Sequence, residues 1–351
     1  MVSAAEAARR ASSRMTGKLQ SLPILALSVH SACNCRCVMC DIWKGNANKR
    51  EISPETLASH VNGIRALNVQ RVMLTGGEPL LNRDVWMLCG LLRGEGIAVT
   101  LVTTGLLIAA HAEDVAHHVD TVVVSLDGPR DIHDEIRRVP GGFAKIEQGI
   151  LALKKQQLAL SEVEGPRLIA RTVVQKSNFR HLSATIAAAR QLGFDEISFL
   201  GADLSSKAFN RPDPWSEERR AEVAVPAEDL DALETEIDEI RSGDCRAIED
   251  GFVAGGLESL VRIHHYYAAI AGRGKFPTVR CNAPWVSAVL EPDGTVRPCF
   301  FHDAYQTEPG DFAATLNAPR AIAFRKSLDV ATNPTCQRCV CSLNLPLMND
   351  V

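Results

Sequence analysis

The sequence predicts an α/β protein whose first part is an open, partial barrel of strand–helix units and whose end is a small β-hairpin/helix domain. Six short apolar, β-branched runs lie at 24–30, 71–75, 98–103, 121–126, 168–174 and 196–200. Helical patterns separate them, and each run is continuously apolar rather than alternating. That is the mark of strands covered by helices in a parallel sheet. Polar and glycine residues gather just after the runs, where βα barrels carry their reactive loops. Six units are too few for a closed eight-stranded barrel, so the prediction is a partial (βα)6 TIM-like barrel.

Residues 1–21 form an N-terminal arm, rich in Ala and Arg and without the apolar stretch of a secretory signal. A transit peptide and a helical arm both fit that composition. The barrel spans 22–202. Its first helix opens at Ser53-Pro54-Glu55: an N-cap, a proline in the first turn and an acid near the positive helix end. The helix over 179–192 stops at Gly193, a residue that tolerates the left-handed cap. Residues 203–280 read as a helical linker: a loop through Trp215, a charged amphipathic helix over 226–241 and a second helix over 251–270. His264, His265, Tyr266 and Tyr267 are consecutive there, so they point in different directions and read as surface or packing residues. Residues 281–351 form the C-terminal domain.

The 351 residues include 46% hydrophobic and 23% charged side chains, with a net charge of -4, as in ordinary globular proteins. That charge gives no footprint for nucleic acid or an anionic membrane, and no apolar run reaches transmembrane length. Eleven cysteines, an odd number and without a signal, point to a reducing, cytoplasmic setting and to metal ligation over disulfides.

Cys33, Cys37 and Cys40 follow strand one in a C-x3-C-x2-C pattern. Three thiolates hold three irons of a [4Fe-4S] cube and leave the fourth iron open to a reactant. Zinc is the alternative. Structural zinc sites usually take two separated pairs of ligands, and here Cys35 breaks the pair pattern. Cys35 is read as a non-ligand. Cys89 sits in an apolar helix and reads as core.

A second set lies near the C-terminus. Cys281 and Cys299 flank a hairpin read as 285–291, the turn Pro292-Asp293-Gly294, and 295–297, which would bring the two thiols close. Cys336, Cys339 and Cys341 follow as C-x2-C-x-C. By itself this set fits a zinc ribbon as well as an iron–sulfur centre.

The order C-x3-C-x2-C, then Gly76-Gly77-Glu78-Pro79, then Ser125-Leu126-Asp127-Gly128 resembles the radical S-adenosylmethionine (radical SAM) superfamily, over about 22–202. The resemblance implies that Cys33, Cys37 and Cys40 hold a [4Fe-4S] cluster whose open iron binds SAM. It assigns Gly76, Gly77 and Glu78 to the SAM amino group, Met39 to the adenine, and Ser125 and Asp127 to the ribose or methionine part. Thr104 stands where relatives often have Asn, and Asn178 is a further rim candidate. The C-terminal cysteines resemble the auxiliary-cluster domains called SPASM and, in a shorter form, Twitch. The longer form requires a cysteine at 345, which is Leu345. The resemblance therefore implies one auxiliary [4Fe-4S] cluster on Cys281, Cys299, Cys336 and Cys339, with Cys341 able to replace Cys339. Four thiolates would close that cluster to substrate and suit it to electron transfer.

The implied reaction is one-electron cleavage of SAM to methionine and a 5′-deoxyadenosyl radical, which takes hydrogen from an unactivated C–H bond. An external reductant such as flavodoxin or ferredoxin would supply the electron. Cys245, the linker's cysteine, is the candidate hydrogen donor, although a spectator role fits it as well. Only about 22 residues precede strand one. That favours a small-molecule substrate, dehydrogenated or epimerised, over a peptide-modifying maturase, which often carries a recognition domain there. A zinc-binding or electron-carrier protein is the non-enzyme alternative.

Overall fold

The computed structural model describes residues 2–159, 165–243, 245–305, 311–349 and 351. Its fold divides into two interleaved units: Met1–Cys33, Gly45–Val102 and Val279–Val351 in the first, Asn34–Lys44 and Thr103–Thr278 in the second.

The first unit holds strands β1 (Ile24–His30), β2 (Arg71–Gly76) and β3 (Ala98–Thr103). β1 pairs in parallel with β2, from Ile24↔Arg71 to Ser28↔Thr75, and β2 in parallel with β3. Leu25, Leu27, Val72, Leu74, Val99 and Leu101 are fully buried, which accounts for the near-continuous apolar runs. Helix Pro54–Ala66 connects β1 to β2 and is capped as its sequence foretells, by Ser53 accepting from the Thr56 N–H with Pro54 in the first turn.

The second unit holds β4 (Thr121–Ser125), β5 (Arg167–Val174) and β6 (Glu196–Gly201), joined in parallel in that order. Helix Leu182–Leu192 lies between β5 and β6 and ends on Gly193 at φ 81°. All six expected strands are present to within one residue at either end. The α/β class and the parallel arrangement are those the hydrophobic pattern foretold.

The C-terminal hairpin needs correcting in two ways. Trp285 and Val286 lie in the short helix Ala283–Val286, entered through Pro284, rather than in the strand. The strand proper is β7 (Ser287–Leu290), which turns at Gly294 (φ 82°) into the antiparallel β8 (Val296–Arg297). β7 also pairs in parallel with β1, Ile24↔Ser287 to Leu27↔Leu290. The hairpin turn is written locally, whereas a pairing across about 260 residues leaves no local sequence signal.

The N-terminal arm is helical over Ala4–Thr16, capped by Ser3. It is anchored through its polar face, whose buried residues are Glu6, Arg10 and Ser13. Arg10, 2% exposed, donates from Nε to Glu6 Oε1 at 2.9 Å, from Nη1 to the Asn349 carbonyl at 2.7 Å and from Nη2 to Gln70 Oε1 at 3.3 Å. Glu6, 3% exposed, also accepts from Asn68 Nδ2 at 2.8 Å. Among the described residues no helix is long and apolar enough to cross a membrane. Glu6 is also held by Arg9, Ser21 and Asn68, so removing Arg10 leaves that carboxylate paired but takes a buried, charged donor from the Asn349 carbonyl and from Gln70. Arg10→Ala should therefore cost about 2–3 kcal/mol of stability, read as a lowered urea midpoint with an unchanged slope.

Candidate active site and cysteine centres

Cys33 lies in the first unit. Its N–H donates to Asn46 Oδ1 at 3.0 Å, and its carbonyl accepts from Asn46 Nδ2 at 2.8 Å. One side chain thus satisfies both backbone groups, as a facing strand would.

The Gly-Gly-Glu segment meets the approach to Cys33 edge to edge. Gly77 N–H donates to the His30 carbonyl at 2.8 Å, and Glu78 N–H to the Ala32 carbonyl at 2.9 Å. A Cβ on Gly77 would stand 2.1 Å from Ala32 O, and one on Gly76 would stand 2.3 Å from His30 O, with Gly76 at φ 124° besides. The glycines permit close approach of this backbone to the chain entering the cysteine loop. Glu78 is fully buried, and its Oε1 accepts from the Leu80 N–H at 3.0 Å, capping the short turn Pro79–Leu81.

Cys37 and Cys40 lie in the second unit, in a loop whose donors face the helix Arg130–Arg137. Arg36 N–H donates to the Arg137 carbonyl at 3.1 Å, and Val38 N–H to the Ile136 carbonyl at 3.0 Å. Arg137 donates from Nε to Asp127 Oδ2 at 2.6 Å and from Nη1 to Cys37 Sγ at 3.5 Å. A hydrogen bond from Cys35 pulls the buried Cys37 thiol down to about 6, with help from Arg137 and against the effect of burial. Cys35 thus stands beside a candidate ligand and favours its thiolate. Cys40 Sγ accepts from the Ile42 N–H at 3.5 Å. Met39 is 8% exposed, and its carbonyl accepts from Arg211.

The remaining rim candidates knit the second unit's strand ends together. Asp127 is fully buried. Its Oδ1 accepts from the Val173 N–H at 2.9 Å while Oδ2 holds Arg137, so the motif Asp positions Cys37 through Arg137. Asn178, also fully buried, donates to the Asp127 carbonyl at 2.8 Å and the Val173 carbonyl at 3.0 Å, and accepts from Gln175 N–H at 2.7 Å. Thr104 donates to Asn34 Oδ1 at 3.0 Å, and Ser125 ends β4, half-buried. Tyr266 and Tyr267 are packing residues with a polar handle: their hydroxyls donate to the Ala202 carbonyl at 2.9 Å and the Val174 carbonyl at 2.5 Å. Cys89 is core. Cys245 opens a short helix, Cys245–Glu249, and its side chain lies outside the described residues.

In the first unit the C-terminal cysteines come together. Burial first, then the charges of Cys281 and Cys341, push the Cys299 thiol up to about 11. Burial, Cys299 and Cys281 push Cys336 up to about 12, and Cys339 is raised by burial, Cys341, Cys281 and Cys299. Thiols that resist ionising side by side become compatible donors once a multivalent cation lies among them. Among the described residues no three His, Cys, Asp or Glu side chains meet at a single ion-sized point. A four-iron cube takes each thiolate on a different iron, so its ligands surround it rather than meet. His302, which the sequence reading missed, places Nε2 3.4 Å from Cys336 Sγ, with its ring edge-to-face on Phe324. Leu345, where the longer motif would have a cysteine, is buried and pinned to Asn282 by two hydrogen bonds of 2.7 and 2.9 Å.

Fold and site together define a class. Residues 27–161 match the radical SAM superfamily and residues 281–340 match SPASM, an iron-sulfur cluster-binding domain. The chain therefore carries a radical SAM domain with a SPASM domain at its C-terminal end, and its cofactors are a SAM-binding [4Fe-4S] cluster and auxiliary iron–sulfur chemistry. It is 26% identical over 174 residues to AdoMet-dependent heme synthase of Methanosarcina barkeri, covering 48% of each chain. It is 26% identical over 255 residues to the PqqA peptide cyclase of Ruegeria pomeroyi, covering 71% of this chain and 60% of that one. Its fold resembles Streptococcus suis SuiB bound to precursor peptide SuiA, at TM-score 0.62 and 16% identity, covering 94% of this chain and 73% of SuiB. The chain spans about half the length of the first curated relatives it matches.

One consequence can be titrated. Burial, with Arg137 behind it, holds the His133 imidazole down to about 4. Its ring accepts from the Asp127 N–H at 3.2 Å. A histidine whose pKa is lower folded than unfolded binds more protons in the unfolded chain, so stability is lost as pH falls from the ordinary value near 6.5. Urea unfolding of the iron-free chain should show about 2 kcal/mol lost to this group between pH 7 and pH 5. His133→Gln should flatten the profile by that amount.

Proposed function

We propose that this chain is a radical SAM enzyme whose substrate is a peptide. The observation that carries the reading is how far along the chain each relative matches. The heme synthase resemblance reaches 48% of the chain, whereas the relative named as a peptide cyclase matches across 71%. A match extending well past the shared SAM-binding core includes more of the residues that face a substrate. The small-molecule expectation depended on the few residues before β1, and the chain's length at that end says nothing about its substrate.

Cys33, Cys37 and Cys40 would hold the SAM-binding cluster, with Gly76, Gly77 and Glu78 beside SAM. When bound, cluster and SAM supply a radical able to take hydrogen from an unactivated C–H bond. The chain's own residues set where this happens. Asn46 fixes the backbone at Cys33, Asp127 holds Cys37 through Arg137, and Glu78 stiffens the turn after β2. Cys281, Cys299, Cys336 and Cys339 would hold the auxiliary cluster as an electron relay. Leu345 stands where a further ligand would be needed, which supports a single auxiliary cluster. An external flavodoxin- or ferredoxin-type reductant and a reducing, cytoplasmic compartment suit such a pair of clusters.

Anaerobic reconstitution should yield about eight irons per chain, and changing Cys33, Cys37 and Cys40 together to Ala should remove about four of them. Substrate class is read from 5′-deoxyadenosine release with reductant and SAM, stimulated by a low-molecular-weight extract of the host cell. Stimulation that disappears when the extract is first digested with a protease, itself then inactivated, supports a peptide. Stimulation that survives digestion overturns the peptide reading in favour of a small metabolite.

A further inference from the structure

We infer that Arg211 and Trp215, in the segment that follows β6, are positioning residues for the cysteine loop, holding the backbone on either side of Cys40. This rests on the reading of Cys33, Cys37 and Cys40 as cluster ligands.

The loop from Cys37 to Asp41 has no helix or strand of its own, so most of its backbone groups find partners in other segments. Its Val38 N–H goes to the Ile136 carbonyl, next to the Arg36 N–H on the Arg137 carbonyl, while its Cys40 N–H closes a turn on the Cys37 carbonyl at 3.4 Å. Trp43 Nε1 donates to the Cys40 carbonyl at 2.9 Å, and the carbonyls on either side of Cys40 accept from the stretch from Asn210 to Arg219. Arg219 Nη2 donates to the Val38 carbonyl, Arg211 Nη2 to the Met39 carbonyl at 3.4 Å, and Asn210 Nδ2 to the Asp41 carbonyl at 3.4 Å. Trp215 Nε1 donates to Asp41 Oδ2 at 2.8 Å. The Val38, Met39 and Asp41 carbonyls all lie within two residues of Cys40.

Arg211 organises this segment. Its side chain is fully buried, its Nη1 donates to Asp203 Oδ2 at 2.8 Å, and its guanidinium lies over the Trp215 ring at 3.7 Å. Arg219 lies over the same ring at 4.7 Å. The indole thus contacts two guanidiniums while its N–H donates to Asp41. Asp203, in turn, accepts from the Ser206 hydroxyl at 2.5 Å and from the Ser205 and Ser206 N–H groups at 3.4 and 3.3 Å. The loop after β6 is therefore tied into one network that ends on the peptide units around Cys40.

A lysine keeps the charge of Arg211 but has neither its fork nor its stacking plane. That difference gives the test. In the reconstituted full chain, iron release to a chelator is followed at both sites, with the electron paramagnetic resonance spectrum recorded before and after SAM addition. Arg211→Lys and Trp215→Phe should each release about four irons at least tenfold faster than the unaltered chain, the scale of loss for residues that orient metal ligands. The auxiliary site should release iron at its normal rate, and the SAM-induced spectral change should weaken. A merely structural role would instead speed release at both sites and lower the unfolding midpoint. Normal release from the first site in Arg211→Lys and Trp215→Phe would overturn the proposal, as would equal loss from both sites. The Cys33/Cys37/Cys40 triple Ala variant run alongside separates the two claims. If that variant keeps all its iron, the ligand reading is at fault.

Discussion

An irregular loop carrying two of the three candidate ligands can keep its shape only if other segments satisfy its backbone. Much of the second unit is arranged around that constraint. Ile136 and Arg137 accept the loop's N–H groups, and side chains from 210–219 donate to its carbonyls. β4 and β5 contribute at one remove. Asp127, just past β4, takes an N–H from Val173 in β5 and hands the remaining oxygen to Arg137. Cys33 in the first unit is handled by the same principle with a single Asn46. A thiolate on such a loop is a ligand only as well placed as the hydrogen bonds beneath it.

The glycines after β2 show how one residue type can be expected for one reason and required for another. The motif implied that Gly76 and Gly77 leave room for a ligand. Their immediate neighbours are the carbonyls of His30 and Ala32, at distances no Cβ tolerates. The room they make is for the chain leading into the cysteine loop. Both demands favour glycine, so the sequence motif alone cannot tell them apart.

The parts legible in the sequence were those written in short windows. Continuous apolar runs marked β1 to β6, Ser53-Pro54 marked a helix start, Gly193 marked a helix stop, and cysteine spacing marked both centres. The unread parts are long-range. β7 joins β1 across most of the chain, Arg10 reaches Asn349, and Arg211 reaches back to Met39. Each is an ordinary strand or Arg until its partner is known. The stretch through Trp215 was legible only as a loop because its bonds serve another segment's backbone and form no repeat of their own. His302 was hidden for the same reason: it lies 34 residues from Cys336, and no spacing rule links them.

The two buried arginines around the loop also bear on what kind of help they give. Each is paired with a carboxylate closer than its other partner. Arg137 lies 2.6 Å from Asp127 and 3.5 Å from Cys37, while Arg211 lies 2.8 Å from Asp203 and 3.4 Å from the Met39 carbonyl. The nearer negative charge cancels much of each guanidinium's field at the loop. What survives cancellation is direction. A guanidinium carries its donors in one rigid plane, so fixing one nitrogen on a carboxylate fixes where the others point. Asp127 thereby aims Arg137 at Cys37, and Asp203 aims Arg211 at the peptide before Cys40. Two buried ion pairs that would be weak arguments for stability thus become strong ones for placement. This placement is where the Ser-x-Asp-Gly motif and the unmarked loop after β6 converge on the same few residues.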